Sequence, residues 1–504
     1  MTASATGQAT LAGQATPAGQ ATPAGHGTPA ARYDAVVVGS GPNGLAAAIT
    51  LARTGRSVAV FEAASSLGGG MRSAELTLPG FIHDVCSSTH PLARMSPFFN
   101  SVDLAAHGLE WIDPPIPLAH PLDDDSVAVV RRDPAETAAG LGIDGRAYRR
   151  LVGPTLSSWP TLVDDILAPF HIPLRPDRAF DLARFGLVGL QPTTWLARWF
   201  RGDHARALLA GAAAHSMLRL DEPVTGAYGL VFLTSAHAVG WPIAHGGSAR
   251  IADALVAVLR ELGGEIFTDH PIRAMTDLPQ HRAALFDVGP RQLLDIAGDR
   301  LPGGYARSLR RYRYGPGAFK LDLALDGPIP WRDPELGLAG TVHVGGSFAQ
   351  IAASEADVAA GRISDRPFVL LCQHSLFDPT RAPEGRHTAW AYCHVPNGST
   401  VDMTDRIVDQ IERLAPGFRD RIIGRHAMGP GDLEAYNANY VGGDINGGRQ
   451  DVLQLFTRPG IRLDPYSTPD RRIFLCSSST PPGGGVHGMS GYLAARSALR
   501  GVLR

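Results

Sequence analysis

The stretch YDAVVVGSGPNGLAAAITLARTGRSVAVFEA, Tyr33–Ala63, decides the fold. Tyr33–Val38 is a continuous apolar run, the pattern of a parallel strand buried on both faces. GxGxxG follows at Gly39, Gly41 and Gly44, with Ser40, Pro42 and Asn43 filling the turn. Leu45–Thr54 is Ala-rich at helical spacing and Gly55 is a natural stop. Ser57–Phe61 reads as a second strand, ended by Glu62 and Ala63. Gly39 permits a tight turn, Gly41 a close backbone approach to a pyrophosphate, and Gly44 close helix–strand packing. The free N–H groups and positive dipole end of the helix suit phosphates. A carboxylate at Glu62 suits ribose hydroxyls and disfavours a 2′-phosphate. With 58 glycines in the chain, chance matches to the motif arise easily. Strand, turn, helix, second strand and acid in order make it specific to a dinucleotide site. The competing reading is a glycine turn in an unrelated α/β unit.

Beyond Glu62 the chain continues AASSLGGGMRSAELTLPGF. Gly68, Gly69 and Gly70, followed by Arg72, resemble the glycine pair and arginine that follow the second strand in many FAD enzymes. Arg72 is then a candidate partner for a cofactor phosphate, against the plainer reading of a surface cation. No second strand–GxGxxG–helix unit follows. RYGPGAF (313–319) and VGGDINGG (441–448) lack the flanking pattern. A single nucleotide unit argues against a two-nucleotide disulfide reductase.

The chain has 504 residues, enough for two domains or one large composite. Hydrophobic residues make up 44% and charged residues 19%, as in a globular protein with a large core. A formal net charge of −2 points to neither nucleic acid nor an anionic surface as partner. Cys86, Cys372, Cys393 and Cys476 form no CxxC pair, so reduced, buried thiols are expected rather than a redox dithiol. Residues 1–31 carry the repeat GQATLAGQATPAGQATPAGHGTPA and almost nothing to bury, which predicts a disordered tail. They show neither a secretory signal nor an arginine-rich presequence, so the expected location is the cytoplasm. Ala227 to Ala244 is the nearest approach to a membrane span, but His237, Gly240 and Pro242 favour a buried helix and turn.

The chain closes with FLCSSSTPPGGGVHGMSGYLAARSALRGVL, Phe474 to Leu503: a short strand, a crowded Pro/Gly turn and a small-residue helix. Gly488 to Tyr492 misses the last glycine of a GxSxG nucleophile elbow and lies at the wrong end of the chain for one. Other distinctive stretches are LPGFIHDVCSSTHPL, HGGSARIADALVAVLRELGGEI, YGPGAFKLDLALDGPIPW, CHVPNGSTVDMTDRIVDQIERLAPGF and NYVGGDINGG. Together with the front end they resemble the FAD-dependent phytoene desaturase and carotenoid isomerase-like flavoproteins. Within these, the likeness is to the subgroup called pyridine nucleotide-disulfide oxidoreductase domain-containing protein 2.

The resemblance implies FAD as cofactor and an α/β fold: a Rossmann-like FAD-binding domain with an inserted α+β substrate domain of mixed sheet and helices. It implies FAD-domain segments at 32–135, 241–310 and 456–504. The helical part of the substrate domain falls at 136–240 and its sheet at 311–455. The last strand and helix then return to the cofactor, with Pro481–Gly488 beside the flavin and Gly488 and Met489 in contact with it. His487 becomes the candidate catalytic residue, weighed against a packing role. Ile272 lies on the strand that meets the adenine. Where many relatives carry a β-hairpin, this chain runs TDLPQHRAALFDVGP, which leaves the domain edge there open. The implied reaction is hydride transfer from an apolar substrate to flavin N5, with the electron acceptor and oligomeric state unassigned. An amine substrate, and a flavoprotein scaffold without turnover, remain as alternatives, as does peripheral membrane contact.

Asp144–Trp241 has helical spacing with Trp159, Phe170, Phe185, Trp195, Trp199, Phe200 and Phe232, read mostly as core with some lining an apolar tunnel. His83, Cys86 and His90 have an H-x₂-C-x₃-H spacing, but a metal site needs a fourth ligand, and none is assigned. Tyr440 and Asn446 are further candidates for the cofactor pocket.

Overall fold

The computed structural model describes residues 29–504. Of the expected disordered tail, residues 1–28 lie outside the described residues. The front unit is β1 (Arg32–Val38), α1 (Pro42–Ala52) and β2 (Val58–Phe61). The chain then leaves this unit to form β3 (Ile116–Pro121) and β4 (Val127–Val130). A helical layer follows: α2 (Gly145–Ile166), α3 (Pro176–Gly189), α4 (Asp203–Ala214) and α5 (Thr225–Ala238). It returns through α6 (Ala249–Glu261), β5 (Glu265–Phe267) and β6 (Gln280–Phe286). The next segment builds β7 (Gly317–Leu325), β8 (Ala339–Val344), α7 (Phe348–Ala359), β9 (Val369–Cys372), β10 (His387–Val395) and β11 (Ile422–Met428). It ends in β12 (Ile473–Leu475) and α8 (Met489–Arg500).

The first sheet has the order β12–β6–β1–β2–β5, with every pairing parallel. β1 alternates between two cores. Ala35 and Val37 pack with α1, α6 and α8, whereas Val36 and Val38 pack on the opposite face with Leu293, Ile296 and Leu309. A central parallel strand must be apolar on both faces, which is why the opening run has no polar alternation. Pro42 stands in the first turn of α1, where its missing N–H costs nothing. α8 crosses α1 so closely that a Cβ on Gly491 would lie 1.7 Å from the Asn43 carbonyl oxygen. The small residues of the last helix serve this crossing.

The second sheet has the order β11–β7–β10–β9–β8–β3–β4; it is antiparallel except where β3 and β8 run together. Its two faces separate cleanly. Leu321, Leu323, Leu371 and Ala391 pack on one side with Ile407, Ile411 and Phe418. Ala318, Leu370, Trp390 and Tyr392 face the other way, toward the first sheet's ligand end.

The domain edges differ from expectation in one place. The first nucleotide-domain segment was expected to run to residue 135, but β3 and β4 belong to the second sheet. Ile116–Pro121 is buried throughout and pairs with β8 on one side and β4 on the other, so it has the burial of an interior strand. TDLPQHRAALFDVGP supplies β6, which pairs directly with β1 from Arg32↔Gln280 to Val38↔Phe286. The apolar stretch near Ala227 forms α5, whose His237 bonds the Tyr148 hydroxyl at 2.7 Å. Among the described residues no helix is long and apolar enough to cross a membrane. Trp159 and Phe200 are core residues, but Phe170 is 71% and Trp195 44% exposed.

Candidate active site

The strand order reverses around β1, with β2 on one side and β6 on the other. In open α/β sheets the crevice at such a switch point, beyond the carboxyl ends of the strands, is where ligands bind. A cavity of about 690 Å³ opens there. Its walls come from the residues that directly follow β1 (Gly39–Asn43), β2 (Glu62–Ala64), β6 (Asp287–Pro290) and β12 (Ser477–Ser479). From this end it extends to an aromatic chamber against the second sheet, lined by Phe232, Trp241, Trp390 and Tyr392.

The glycine turn is constrained by backbone rather than by side chains. Gly39 has φ +98°, and a Cβ on Gly44 would lie 2.1 Å from the Gly39 carbonyl oxygen. Gly44 therefore serves helix–strand packing and is not itself in the cavity wall. A Cβ on Gly69 would sit 3.0 Å from Gly41 Cα, so the two glycine segments pass in contact. Glu62 is the centre of the polar network. Its Oε2 accepts from the Ser40 N–H (3.0 Å) and hydroxyl (2.6 Å), and its Oε1 from the Ala64 N–H (3.0 Å) and Arg72 Nη2 (3.2 Å). Arg72 also donates to the Ser66 carbonyl (2.8 Å) and lies over the Tyr436 ring. It thus holds the loop and Glu62 and also lines the cavity. Ala63, Gly69, Gly70 and Ile272 line the same end of the cavity.

Asp287 was not singled out in the sequence. It follows β6, more than two hundred residues from the glycine turn, and its Oδ2 accepts the Gly44 N–H at 2.8 Å. Burial, reinforced by the nearby charge of Glu62, pushes its carboxyl up to about 7. A carboxyl that stays protonated near neutrality can stand beside a phosphate at this helix N-terminus without full repulsion. The glycine cradle, the ribose-side carboxylate and this neutralised acid together fit a dinucleotide.

The C-terminal turn departs from expectation. Gly485 and Val486 reach the cavity wall; His487, Gly488 and Met489 do not. His487 is buried, its Nε2 on the Gly483 carbonyl (3.1 Å) and its Nδ1 accepting from the Met489 N–H (3.0 Å). With both ring nitrogens engaged by neighbouring backbone, it locks the turn and is not placed for acid–base work. A Cβ on Gly488 would meet Phe98 at 2.7 Å and Ala46 at 2.9 Å, so this glycine lets α8 start against α1. The crowding of the turn comes from protein neighbours: a Cβ on Gly485 would lie 2.3 Å from Leu92.

Cys86 to Leu92 forms one side of the cavity. A buried ionic network holds this loop. Arg381 donates to Asp84 through Nη1 (3.2 Å) and Nη2 (2.7 Å), and Asp84 also accepts the Ser248 N–H (2.7 Å). Arg381 keeps the Asp84 carboxyl well below the usual range against the cost of burial. The Asp84 carbonyl accepts the Trp390 indole N–H at 2.9 Å, fixing that ring in the chamber wall. His83 and His90 are each paired with a hydroxyl, of Thr77 (2.8 Å) and Ser248 (2.8 Å), so they do not converge with Cys86 on one point. Tyr440 and Asn446 both line the cavity.

Of the helical aromatics, Phe232 reaches the chamber, joined by Trp241, Trp390, Tyr392 and His215, none of which was singled out as a site residue. A usable signal existed for two of them. HTAWAYCHV is a strand, and period-2 alternation puts Trp390 and Tyr392 on one face.

Residues 37–102 match a family model described as an NAD(P)-binding Rossmann-like domain. The chain is 27% identical over 552 aligned positions to "Pyridine nucleotide-disulfide oxidoreductase domain-containing protein 2" of Rattus norvegicus, with 93% of each chain covered. An oxidoreductase from Methanosarcina mazei superposes with a TM-score of 0.62 at 16% identity, covering 92% of this chain and 99% of that one. Putrescine oxidase bound to putrescine superposes at 0.59 and 16% identity, covering 94% and 99%. The structural likenesses establish a shared fold over nearly the whole chain.

Proposed function

We propose that this chain is an FAD-dependent oxidoreductase that takes a hydride from an apolar substrate, in the manner of phytoene dehydrogenases. The observation that carries the reading is one cavity continuous from the glycine cradle to the aromatic chamber. Bound FAD supplies two-electron acceptance at its flavin ring. The residues that would hold it are Gly39–Asn43, Glu62, Ala63, Gly69, Gly70 and Ile272, with Asp287 beside the phosphates. The chamber residues orient the substrate and exclude water.

The charge distribution favours an apolar substrate over a diamine. The acids and the arginine in the cavity wall, Glu62, Asp287 and Arg72, all stand at the nucleotide end. Among the described residues the chamber wall offers aromatic faces and no carboxylate for a second ammonium. The test is the visible spectrum of the purified protein, with extraction of its cofactor, followed by anaerobic addition of phytoene, cyclohexylamine and putrescine. Bleaching of FAD by phytoene or the monoamine, and not by putrescine, is the expected result. FAD that no donor bleaches favours a scaffold, and failure to take up FAD removes the reading.

Cytoplasmic location with peripheral membrane contact belongs to the same proposal. Phe170, Ile172, Leu174, Phe180 and Leu187 are exposed along α3 and the segment before it. Phe170 meets Phe456 at 5.7 Å between ring centroids, and Leu453 is exposed beside it. Large apolar side chains exposed along one segment suit an interaction site. Nearby arginines are paired with acids, Arg175 with Asp177 and Arg178 with Asp165. Binding to uncharged phosphatidylcholine vesicles that is insensitive to salt is therefore expected; no flotation with such vesicles removes this part.

A further inference from the structure

Among the described residues the buried lysine and arginine side chains are Arg72, Lys320, Arg381 and Arg458. Three of them have an acid in contact: Arg72 with Glu62, Lys320 with Asp322 and Arg381 with Asp84. Arg458, 1% exposed, has only neutral partners. Its Nη1 donates to the Ser478 carbonyl (2.9 Å), its Nη2 to the Arg449 carbonyl (3.3 Å), and its Nε has no partner. A guanidinium keeps its charge at any working pH. Buried charges are as a rule paired, so this one calls for an anion. Asp444 feels the charge of Arg458 but is not in contact with it. Its oxygens accept from the backbone N–H groups of Gly315 (2.7 Å) and Asn446 (2.9 Å), and burial still pushes its carboxyl above the usual range.

Arg458 stands directly behind the cavity wall. Ser478, whose carbonyl it holds, lines the cavity, as do Asn446 and Gly447. These two wall segments touch: a Cβ on Gly447 would lie 2.7 Å from Ser478 Cβ. This part of the wall adjoins the aromatic chamber. Asn446 bonds the Met217 sulfur at 3.0 Å, two residues along the chain from His215 in the cavity wall. Gln450 accepts from the Tyr228 hydroxyl, and Tyr228 precedes Phe232 of the chamber by one turn of α5. A Cβ on Gly483 would meet both Arg458 Nη1 (3.1 Å) and Gln450 Oε1 (3.5 Å), so the charge sits beside this link to the chamber. The phosphate cradle is elsewhere, at Gly39–Asn43 with Glu62 and Asp287.

We propose that Arg458 is an electrostatic positioning residue, whose charge acts across the Ser478 wall to favour the anionic, reduced form of a bound flavin. This rests on the oxidoreductase reading above. A hydride carries two electrons and one proton, so the neutral ring that accepts it becomes singly negative. The substrate is left with the matching positive charge until it releases a proton to solvent. A cation already fixed beside the ring stabilises the new negative charge with no reorganisation at the moment of transfer. The oxidised ring is neutral and gains little from it, which is why the buried guanidinium has no partner of opposite sign before the reaction.

The test reads bound FAD without any substrate. Sulfite adds reversibly to oxidised flavin, bleaches it and leaves the ring negative, so its affinity reports a nearby cation. Sulfite affinity and reduction potential are measured on FAD-loaded wild type, Arg458→Gln and Arg458→Lys. Arg458→Gln should weaken sulfite binding about tenfold and lower the potential by about 30 mV, the two-electron equivalent of tenfold. Arg458→Lys keeps the charge and loses the planar fork, and should stay within about threefold of wild type. A merely structural arginine would cost urea stability in both variants and leave sulfite affinity and potential unchanged; that result overturns the proposal. So does weakened FAD binding alone, which would assign the charge to the phosphates. If neither variant folds, wild type decides: sulfite affinity about tenfold or more above that of free FAD upholds the proposal, and a lower one overturns it. A wild type that takes up no FAD removes both readings. One whose FAD no donor bleaches loses the oxidoreductase reading alone, and the sulfite comparison still judges Arg458.

Discussion

At one end of the cavity a single turn, Gly39–Asn43, contributes five consecutive wall residues; at the other, Phe232, Trp241, Trp390 and Tyr392 arrive from a helix, a loop and a strand. The first end is shaped by backbone: side chains are absent where the chain passes itself. The second is shaped by side chains: the Trp390 indole is held by the Asp84 carbonyl, and the Trp241 indole by the Phe232 carbonyl and the Ser235 hydroxyl. An added Cβ should therefore be ruinous at the first end, whereas the second should respond to lost side-chain partners.

The sharpest way to break this contrast is Gly41→Val. A Cβ there lies 2.6 Å from Asp287 Oδ2 and enters the cradle. FAD retention should fall by at least about 100-fold with the circular dichroism spectrum preserved, since Gly41 has an ordinary φ of −64°. Normal flavin loading would show that the cradle is not the cofactor site.

Asp84→Asn probes the other end. It leaves the buried Arg381 with Asp378 as its remaining carboxylate, at 3.2 Å. A cost near the low end of that for breaking a buried pair, about 3 kcal/mol, is expected in urea unfolding at pH 7. The Asp84 carboxyl is lowered in the folded state, so its contribution is present above about pH 3.9 and lost as pH falls below it. The difference between wild type and variant should shrink in acid. An undiminished difference at pH 3 would mean that packing, not charge, holds the loop.

Asp287→Asn sharpens the comparison where the two logics meet. The folded-state carboxyl titrates at about 7, above its unfolded value of about 3.9. Its protonated form favours the fold below about 3.9, and that benefit is lost as pH rises through 7. FAD affinity of the wild type should weaken about tenfold between pH 6 and pH 8, as the ionised acid meets phosphate and Glu62. The Asn variant should show a flat profile by equilibrium dialysis. Parallel profiles would place the titrating group elsewhere.

The smallest effect is expected for His487→Gln. Its two hydrogen bonds are to adjacent backbone, so a loss of about 1 kcal/mol in stability and no change in flavin content or bleaching rate should follow. A large loss of bleaching with normal stability would restore it as a catalytic residue.

The nucleotide end was legible because its parts lie in one short run. Gly39, Gly41, Gly44 and Glu62 sit at spacings that a strand, turn and helix impose, so residue type and distance along the chain carry the meaning. His487 was misplaced for the converse reason. A histidine in a glycine-rich turn beside a ligand cavity has two ring nitrogens to satisfy, and only coordinates show that Gly483 and Met489 satisfy both. Ile116–Pro121 was assigned to the wrong sheet because a buried strand carries no record of its partner.

The sequence by itself determined the parallel β–α–β unit, the glycine turn that lines the cavity and the apolar character of the rest. Local steric rules and burial suffice for these. Tertiary structure alone decided that Asp287 reaches Gly44 and that Asp84 steadies Trp390. Each of these joins a side chain to backbone far away in the chain, and hydrogen bonds between such groups depend on the packing of sheets and helices, not on spacing along the backbone.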